Sequence, residues 1–136
     1  MNYRQYFKQQ FAAITQKDIE LQDGFSVTEL HAIENIFSSL PVALQEYYHL
    51  IGKHPINKEH NRILAPNEIY YIGDYLVFAE ENQNVVVWGI LKSDLRIEDP
   101  VVYQGQEYNG KYSWYSEDST FSRFVIQMFK WQRGIE

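Results

Sequence analysis

The sequence predicts a single α+β domain in which helices flank a mixed, mostly antiparallel β-sheet. Apolar residues have helical spacing at both ends of the chain, and two runs rich in β-branched and aromatic residues lie in the middle. Strands and helices do not alternate, which argues against a parallel sheet. The 136 residues have the usual size of one domain, and no linker divides them. We therefore expect one domain over residues 1–136, with residues 1–25 as an N-terminal helical extension packed on it.

The first helix is predicted over residues 3–15. Its apolar side chains recur at spacings of three and four residues, which places them on one face of a helix. They are Tyr3, Tyr6, Phe7, Phe11 and Ile14. A second helix is predicted to start near Ser26, because Ser26 and Glu29 have the spacing of a capping box. Its apolar face continues through Leu30, Ile33, Ile36 and Phe37.

A third helix is predicted to begin at Pro41, since proline suits the first helical position, where its missing N–H would have no partner. Gly52 is expected to end this helix in the left-handed conformation, and Pro55 prevents it from resuming. The apolar side consists of Leu44, Tyr47, Tyr48 and Ile51. Residues 52–66 are polar and are interpreted as a loop.

Two central strands are predicted over residues 75–79 and 85–90, which are rich in β-branched and aromatic residues. Neither run alternates apolar with polar residues, which favours burial on both faces. Gly89 inside the second run predicts a bulge or a close backbone approach. Two weaker strands are expected over residues 101–104 and 111–115.

The last predicted element is a C-terminal helix. Ser119 or Asp118 is expected to cap its first turn. Its apolar residues, at helical spacings, are Phe121, Phe124, Val125, Met128 and Phe129. Gly105 and Gly110 precede it and are expected in turns between the weaker strands.

Charge and hydropathy limit the classes of function. The chain has 12 basic and 18 acidic residues and a net charge of −6, the opposite sign from a typical nucleic-acid binder. An acidic surface instead steers basic partners toward it. No apolar run is long enough to span a bilayer, and the N-terminus lacks the apolar region of a secretory signal. We therefore expect a cytoplasmic protein that contacts neither a membrane nor nucleic acid directly.

The familiar patterns of catalytic and metal sites are missing from the sequence. His54, Glu59 and His60 share the predicted loop, but their spacing is not that of a zinc motif, and the chain has no cysteine. Neither a nucleophile elbow nor a phosphate-binding glycine loop occurs. We therefore expect no enzymatic activity, no cofactor and no metal.

Adjacent carboxylates form the most visible clusters of titratable residues. Neighbours in a strand point to opposite faces, so an adjacent pair is not a ready-made acid–base dyad. We expect four of these residues to offer acidic contacts to a protein partner: Glu80, Glu81, Glu98 and Asp99. Glu117 and Asp118 form a further pair, interpreted as solvated turn acids. The three Trp, eleven Tyr and eight Phe fit either a core or a binding surface, and both interpretations stay open.

Five segments, in this order, resemble the SUKH superfamily over residues 26–132. They are Leu40-Pro41-x-x-Leu44-x-x-Tyr47-Tyr48, Tyr75 through Gln83, Val87-Trp88-Gly89-Ile90, Asp99-Pro100-x-Val102 and Ser119-x-x-Ser122-x-Phe124. The resemblance implies an α+β fold. It also implies a protein partner, since many bacterial members are immunity proteins of polymorphic and contact-dependent toxin systems, often against nucleases, and fungal members regulate cell-wall assembly. We expect neutralisation of a cognate toxin by occlusion, with a regulatory or scaffold domain as the alternative.

Overall fold

The computed structural model describes residues 1–33 and 39–135. The helices in these ranges are α1 (Tyr3–Thr15), α2 (Val27–His31), α3 (Val42–Ile51) and α4 (Phe121–Gln132). The strands are β1 (Arg62–Ile63), β2 (Tyr70–Ile72), β3 (Tyr75–Glu80), β4 (Val86–Leu91), β5 (Val101–Tyr108) and β6 (Lys111–Thr120). None of the helices in the described part of the chain has the length and hydropathy needed to cross a bilayer.

The strands form one sheet in the order β1–β3–β4–β5–β6, and β2 pairs with the same edge of β3 as β1 does. Ile63 of β1 lies opposite Ala79, and Tyr71 of β2 lies opposite Leu76, so the two short strands line up along β3. Every pairing among the described strands is antiparallel. The predicted α+β class is therefore confirmed.

The main core lies between one face of the sheet and the helices. Phe78 of β3 packs against Phe121 of α4, with ring centroids 5.1 Å apart, and Phe121 in turn meets Tyr47 of α3 at 5.7 Å. Phe7 and Phe11 of α1 are fully buried in this core, where Phe7 contacts Tyr47. The N-terminal helix is thus part of the main core.

The predicted helices form, but several of their ends differ. The Ser26–Glu29 capping box is present, and Ile36 and Phe37, predicted to extend that helix face, lie outside the described residues. Helix α3 begins at Val42 with Pro41 as its N-cap, one residue later than predicted. Gly52 has φ −60°, so the left-handed end was wrong. Glycine is needed there because a Cβ would lie 2.8 Å from the Phe25 ring.

The four predicted strands are present: three are longer than predicted, and β4 has the predicted length but begins one residue later. Both central strands are buried on both faces, as their unbroken apolar runs predicted. Gly89 makes the expected close approach, since a Cβ would lie 3.0 Å from the Leu76 carbonyl oxygen, while the bulge lies on β3 between Val77 and Ala79. Gly105 was wrongly placed in a turn and lies within β5. The predicted loop over residues 52–66 contains a 3-10 turn and β1.

Candidate functional site

An aromatic cluster covers the sheet face opposite the helices. We call it the aromatic face and define it by five side chains, which are Tyr70, Tyr75, Tyr103, Tyr112 and Trp114. The Trp114 indole stacks on the Tyr75 ring with centroids 3.9 Å apart and planes 13° apart. Tyr112 lies 5.9 Å from Trp114 on one side, and Tyr103 lies 5.4 Å from Tyr75. Tyr70 is exposed and the other four are partly exposed. The rings of these four form one unbroken series of contacts.

Glycine at position 105 lets Trp114 lie flat on the sheet. Gly105 pairs with Trp114 across the β5–β6 hairpin, and a Cβ on Gly105 would lie 2.6 Å from the indole. The indole therefore lies over the β5 backbone and reaches Tyr75, three strands away. Beneath the rings, Val77 and Val87 form a small second core. The rings of the aromatic face thus pack against this small core on one side and face solvent on the other.

Carboxylates lie at both ends of the aromatic face. Burial raises the pKa of Tyr75, and the nearby Tyr103, Asp74 and Asp94 raise it further. Burial likewise raises the pKa of Tyr112, with Glu107 and Glu80 adding to the effect. The positions of two of these carboxylates agree with this, since Asp74 directly precedes Tyr75 and Glu107 pairs with Tyr112 across β5 and β6.

Glu80 lies on the aromatic face and is already engaged by neighbours. Its carboxylate accepts a hydrogen bond from Arg62 at 2.6 Å and another from the Tyr70 hydroxyl at 2.7 Å. Burial, followed by this bond to Glu80, raises the pKa of Tyr70. Glu80 therefore holds the side chains of Arg62 and Tyr70 in place. Glu107, the other carboxylate near Tyr112, is exposed and is more accessible to a partner.

The four acidic residues proposed as partner contacts do not form one patch. Glu80 and Glu81 lie where β3 ends. Glu98 and Asp99 follow β4, which runs antiparallel to β3 and therefore ends at the opposite end of the strand pair. Glu80 is on the aromatic face, while Glu81 lines a cleft on the helix side. Glu80, the last residue of β3, and Glu81, which follows it, thus face opposite sides of the sheet.

Asp99 caps the C-terminal helix from a distance. Its Oδ1 accepts a hydrogen bond from the Ser122 backbone N–H at 2.9 Å, and its Oδ2 accepts one from the Ser122 hydroxyl at 2.7 Å. Thr120 is the N-cap residue of α4, and its own side chain makes no capping bond. The predicted cap by Ser119 or Asp118 was therefore wrong, because Asp99 supplies the oxygen from 23 positions away.

Replacing Asp99 with alanine is expected to lower the free energy of unfolding by about 1–2 kcal/mol, because a first-turn N–H and a buried hydroxyl lose their acceptor. Urea denaturation of the two proteins measures the change. The matched control is Glu98→Ala, which removes an exposed carboxylate next door and leaves the Glu98 carbonyl bond to Ala43 N–H in place. Equal losses for the two variants would contradict the capping role.

A cleft lies on the other side of the sheet, between α4 and the strands β4 and β6. Its volume is about 430 Å³. Trp88, Phe124 and Met128 form a largely buried floor. The remaining lining residues are His60, Asn61, Glu81, Asn82, Glu117, Ser119, Gln127 and Trp131. We use "the cleft" for this set of residues.

Glu117 is held in a defined orientation in the cleft. One carboxylate oxygen, Oε2, accepts hydrogen bonds from the Trp88 indole N–H at 2.8 Å and from the Gln104 side-chain amide at 3.1 Å. At the rim, the Trp131 side chain is 68% exposed, and its ring lies 5.7 Å from that of His60. Glu117 had been interpreted from the sequence as a solvated turn acid, and its place in this arrangement was not predicted.

Comparisons of the chain with protein-family models, with curated proteins and with solved structures find no match. Within residues 1–33 and 39–135, no three His, Asp or Glu side chains converge in a way that could hold a metal ion. The aromatic face and the cleft are candidate sites because both offer rings and carboxylates suited to binding.

Proposed function

We propose that the protein is an immunity protein that binds a cognate toxin of the polymorphic or contact-dependent kind and neutralises it by occlusion. The observation that carries the proposal is the aromatic face, a preformed surface of stacked Tyr and Trp rings with carboxylates at both ends. The resemblance of five sequence segments to the SUKH superfamily points to the same role.

The chemistry of the aromatic face suits a basic protein partner. Tyr and Trp side chains dominate the binding energy of protein interfaces, because they bury a large area and keep a polar tip. A nuclease binds phosphates with Lys and Arg, so its substrate-binding surface is positively charged. Covering that surface with an acidic partner blocks the substrate and requires no covalent step. The net charge of −6 also accelerates encounter with a basic toxin.

Co-expression with the toxin encoded beside the gene is expected to rescue growth, and the purified pair is expected to elute together. Trp114→Ala should weaken the complex by about 30-fold or more, as for a ring at the centre of an interface. Glu107→Lys should weaken it about tenfold, mainly by slowing association, and this effect should shrink at high salt.

Glu98 was expected from the sequence to contact the partner, but it lies outside the aromatic face and is therefore not part of the interface proposed here. The matched control for Glu107→Lys is Glu98→Lys, the same charge reversal at an exposed site near the far end of β4. Its affinity for the toxin is expected to stay within about twofold of the wild type. Thermal denaturation of each variant confirms that the fold is retained. Absence of both rescue and co-elution would overturn the proposal, and equal losses for the two lysine variants would overturn the assignment to the aromatic face.

A regulatory or scaffold role is the second candidate, and one observation favours it. The aromatic face and the cleft lie on opposite faces of the sheet, because Trp114 packs against the small core that contains Val77 and Val87, while Trp88 contacts Phe124 of α4. Two partners can therefore bind at the same time. A scaffold is expected to hold two different proteins in one complex by light scattering, whereas an immunity protein is expected to hold the toxin alone.

A further inference from the structure

The cleft has the chemistry of a receptor for one kind of side chain. We propose that it binds an aliphatic ammonium group, presented as a lysine side chain by a partner protein. Since the cleft and the aromatic face lie on opposite faces of the sheet, this site does not depend on the proposed function.

The floor of the cleft suits an apolar stem. Trp88, Phe124 and Met128 are each less than 10% exposed and supply two aromatic rings and a flexible thioether. The four methylene groups of lysine pack on such a surface while the charged end reaches a polar wall. Burial of each methylene group removes apolar area from water and contributes to binding.

The wall of the cleft supplies the charge that selects an ammonium group. Glu117 is oriented by two neutral donors, Trp88 and Gln104, neither of which carries a compensating charge. Among the described residues, Oε1 of Glu117 has no hydrogen-bond donor, and the cleft lining contains Glu81 but no Lys or Arg. A neutral apolar ligand would bury these carboxylates without a partner, and an anion would be repelled, so a cation with an apolar stem fits best.

The rim of the cleft adds a ring that attracts cations. The exposed Trp131 indole stands beside His60 at the end of α4. The face of an indole attracts an ammonium group more strongly than the other aromatic rings do, provided the group lies within about 6 Å of the ring. Trp131 would therefore add a cation–π contact with the lysine ammonium group at the solvent-exposed rim of the cleft.

The test is a titration of the ¹⁵N-labelled protein with the capped peptide acetyl-Gly-Lys-Gly-amide, followed through the indole N–H signals. The chain has three tryptophans, two of which line the cleft. Saturable shifts of the Trp88 and Trp131 signals are expected, with the Trp114 signal unmoved. The same peptide with norleucine, which keeps the stem and lacks the ammonium group, is expected to bind at least about tenfold more weakly.

Two protein variants isolate the carboxylate. Glu117→Gln keeps an oxygen for the Trp88 N–H and removes the charge, so the lysyl peptide should bind about tenfold more weakly. Glu98→Gln removes the same charge away from the cleft and should leave binding unchanged. Trp131→Ala should weaken binding severalfold.

Each outcome of these titrations either supports or overturns the proposal. Binding of the lysyl peptide supports the proposal, whether or not n-butylammonium also binds. Binding of n-butylammonium without the peptide would overturn the assignment to a partner protein. Three results would overturn the site itself. They are equal affinity for the norleucine and lysyl peptides, equal loss of lysyl-peptide affinity in Glu117→Gln and Glu98→Gln, and no saturable shift of the Trp88 signal.

Discussion

Replacing Phe121 with alanine is expected to lower the free energy of unfolding by about 3–5 kcal/mol, the usual cost of truncating a fully buried phenylalanine. Phe121 begins α4, and its ring joins Phe78 of the sheet to Tyr47 of α3. The substitution therefore leaves a cavity where three elements meet. Guanidinium denaturation monitored by circular dichroism measures the loss.

Trp131→Ala serves as the matched control for the core substitution. It removes a larger ring from the same helix, but that ring is exposed, so the loss should be below about 1 kcal/mol. Phe121→Leu should recover most of the stability, because it refills much of the cavity. A loss below about 1 kcal/mol for Phe121→Ala would contradict the central position of Phe121 in the core.

Gly24→Ala is expected to destabilise the protein by about 3 kcal/mol, because the added methyl group has no room. A Cβ on Gly24 would lie 1.7 Å from the His49 carbonyl oxygen, which belongs to the last turn of α3. Backbone hydrogen bonds on both sides of Gly24 hold the two segments together, from Phe25 to Tyr48 at 3.0 Å and from Lys53 to Asp23 at 2.8 Å. The methyl group must push these segments apart.

Gly73→Ala separates this steric effect from the general cost of replacing glycine. Gly73 has φ +57°, but a Cβ there would meet nothing within 4 Å. Its alanine variant should lose only about 1 kcal/mol, from backbone strain alone. Thermal unfolding of both variants provides the comparison, and a smaller loss for Gly24→Ala than for Gly73→Ala would contradict the close packing of residues 23–25 on α3.

Elements with a long apolar pattern could be predicted from the sequence, and short ones could not. Helix α1 was predicted with its correct bounds, because its apolar side chains mark one face over 13 residues. Strands β1 and β2 have two and three residues, too few to show a period. They form because β3 offers an edge to pair with. The cap of α4 was missed for a similar reason, since Asp99 is distant in sequence.

The candidate sites were only partly predictable. The alternation of Tyr112 and Trp114 predicts that both lie on one face of β6, but their stacking with Tyr75 depends on sheet order and on Gly105. The acidic residues were selected as adjacent pairs, and the pleat places Glu80 and Glu81 on opposite sides. The cleft depends on the packing of α4 against β4, which no local pattern encodes.

The position of the Trp114 indole over Gly105 lowers the entropy that binding at the aromatic face would cost. A side chain clamped between a neighbouring ring and the backbone has already lost its rotamer freedom when the chain folds. In the proposed complex, the toxin would therefore meet a surface that already has its bound shape, and few side chains would lose freedom on binding. A larger side chain at position 105 would displace the Trp114 indole from the β5 backbone. The indole would then regain rotamer freedom, which it would have to lose again on binding.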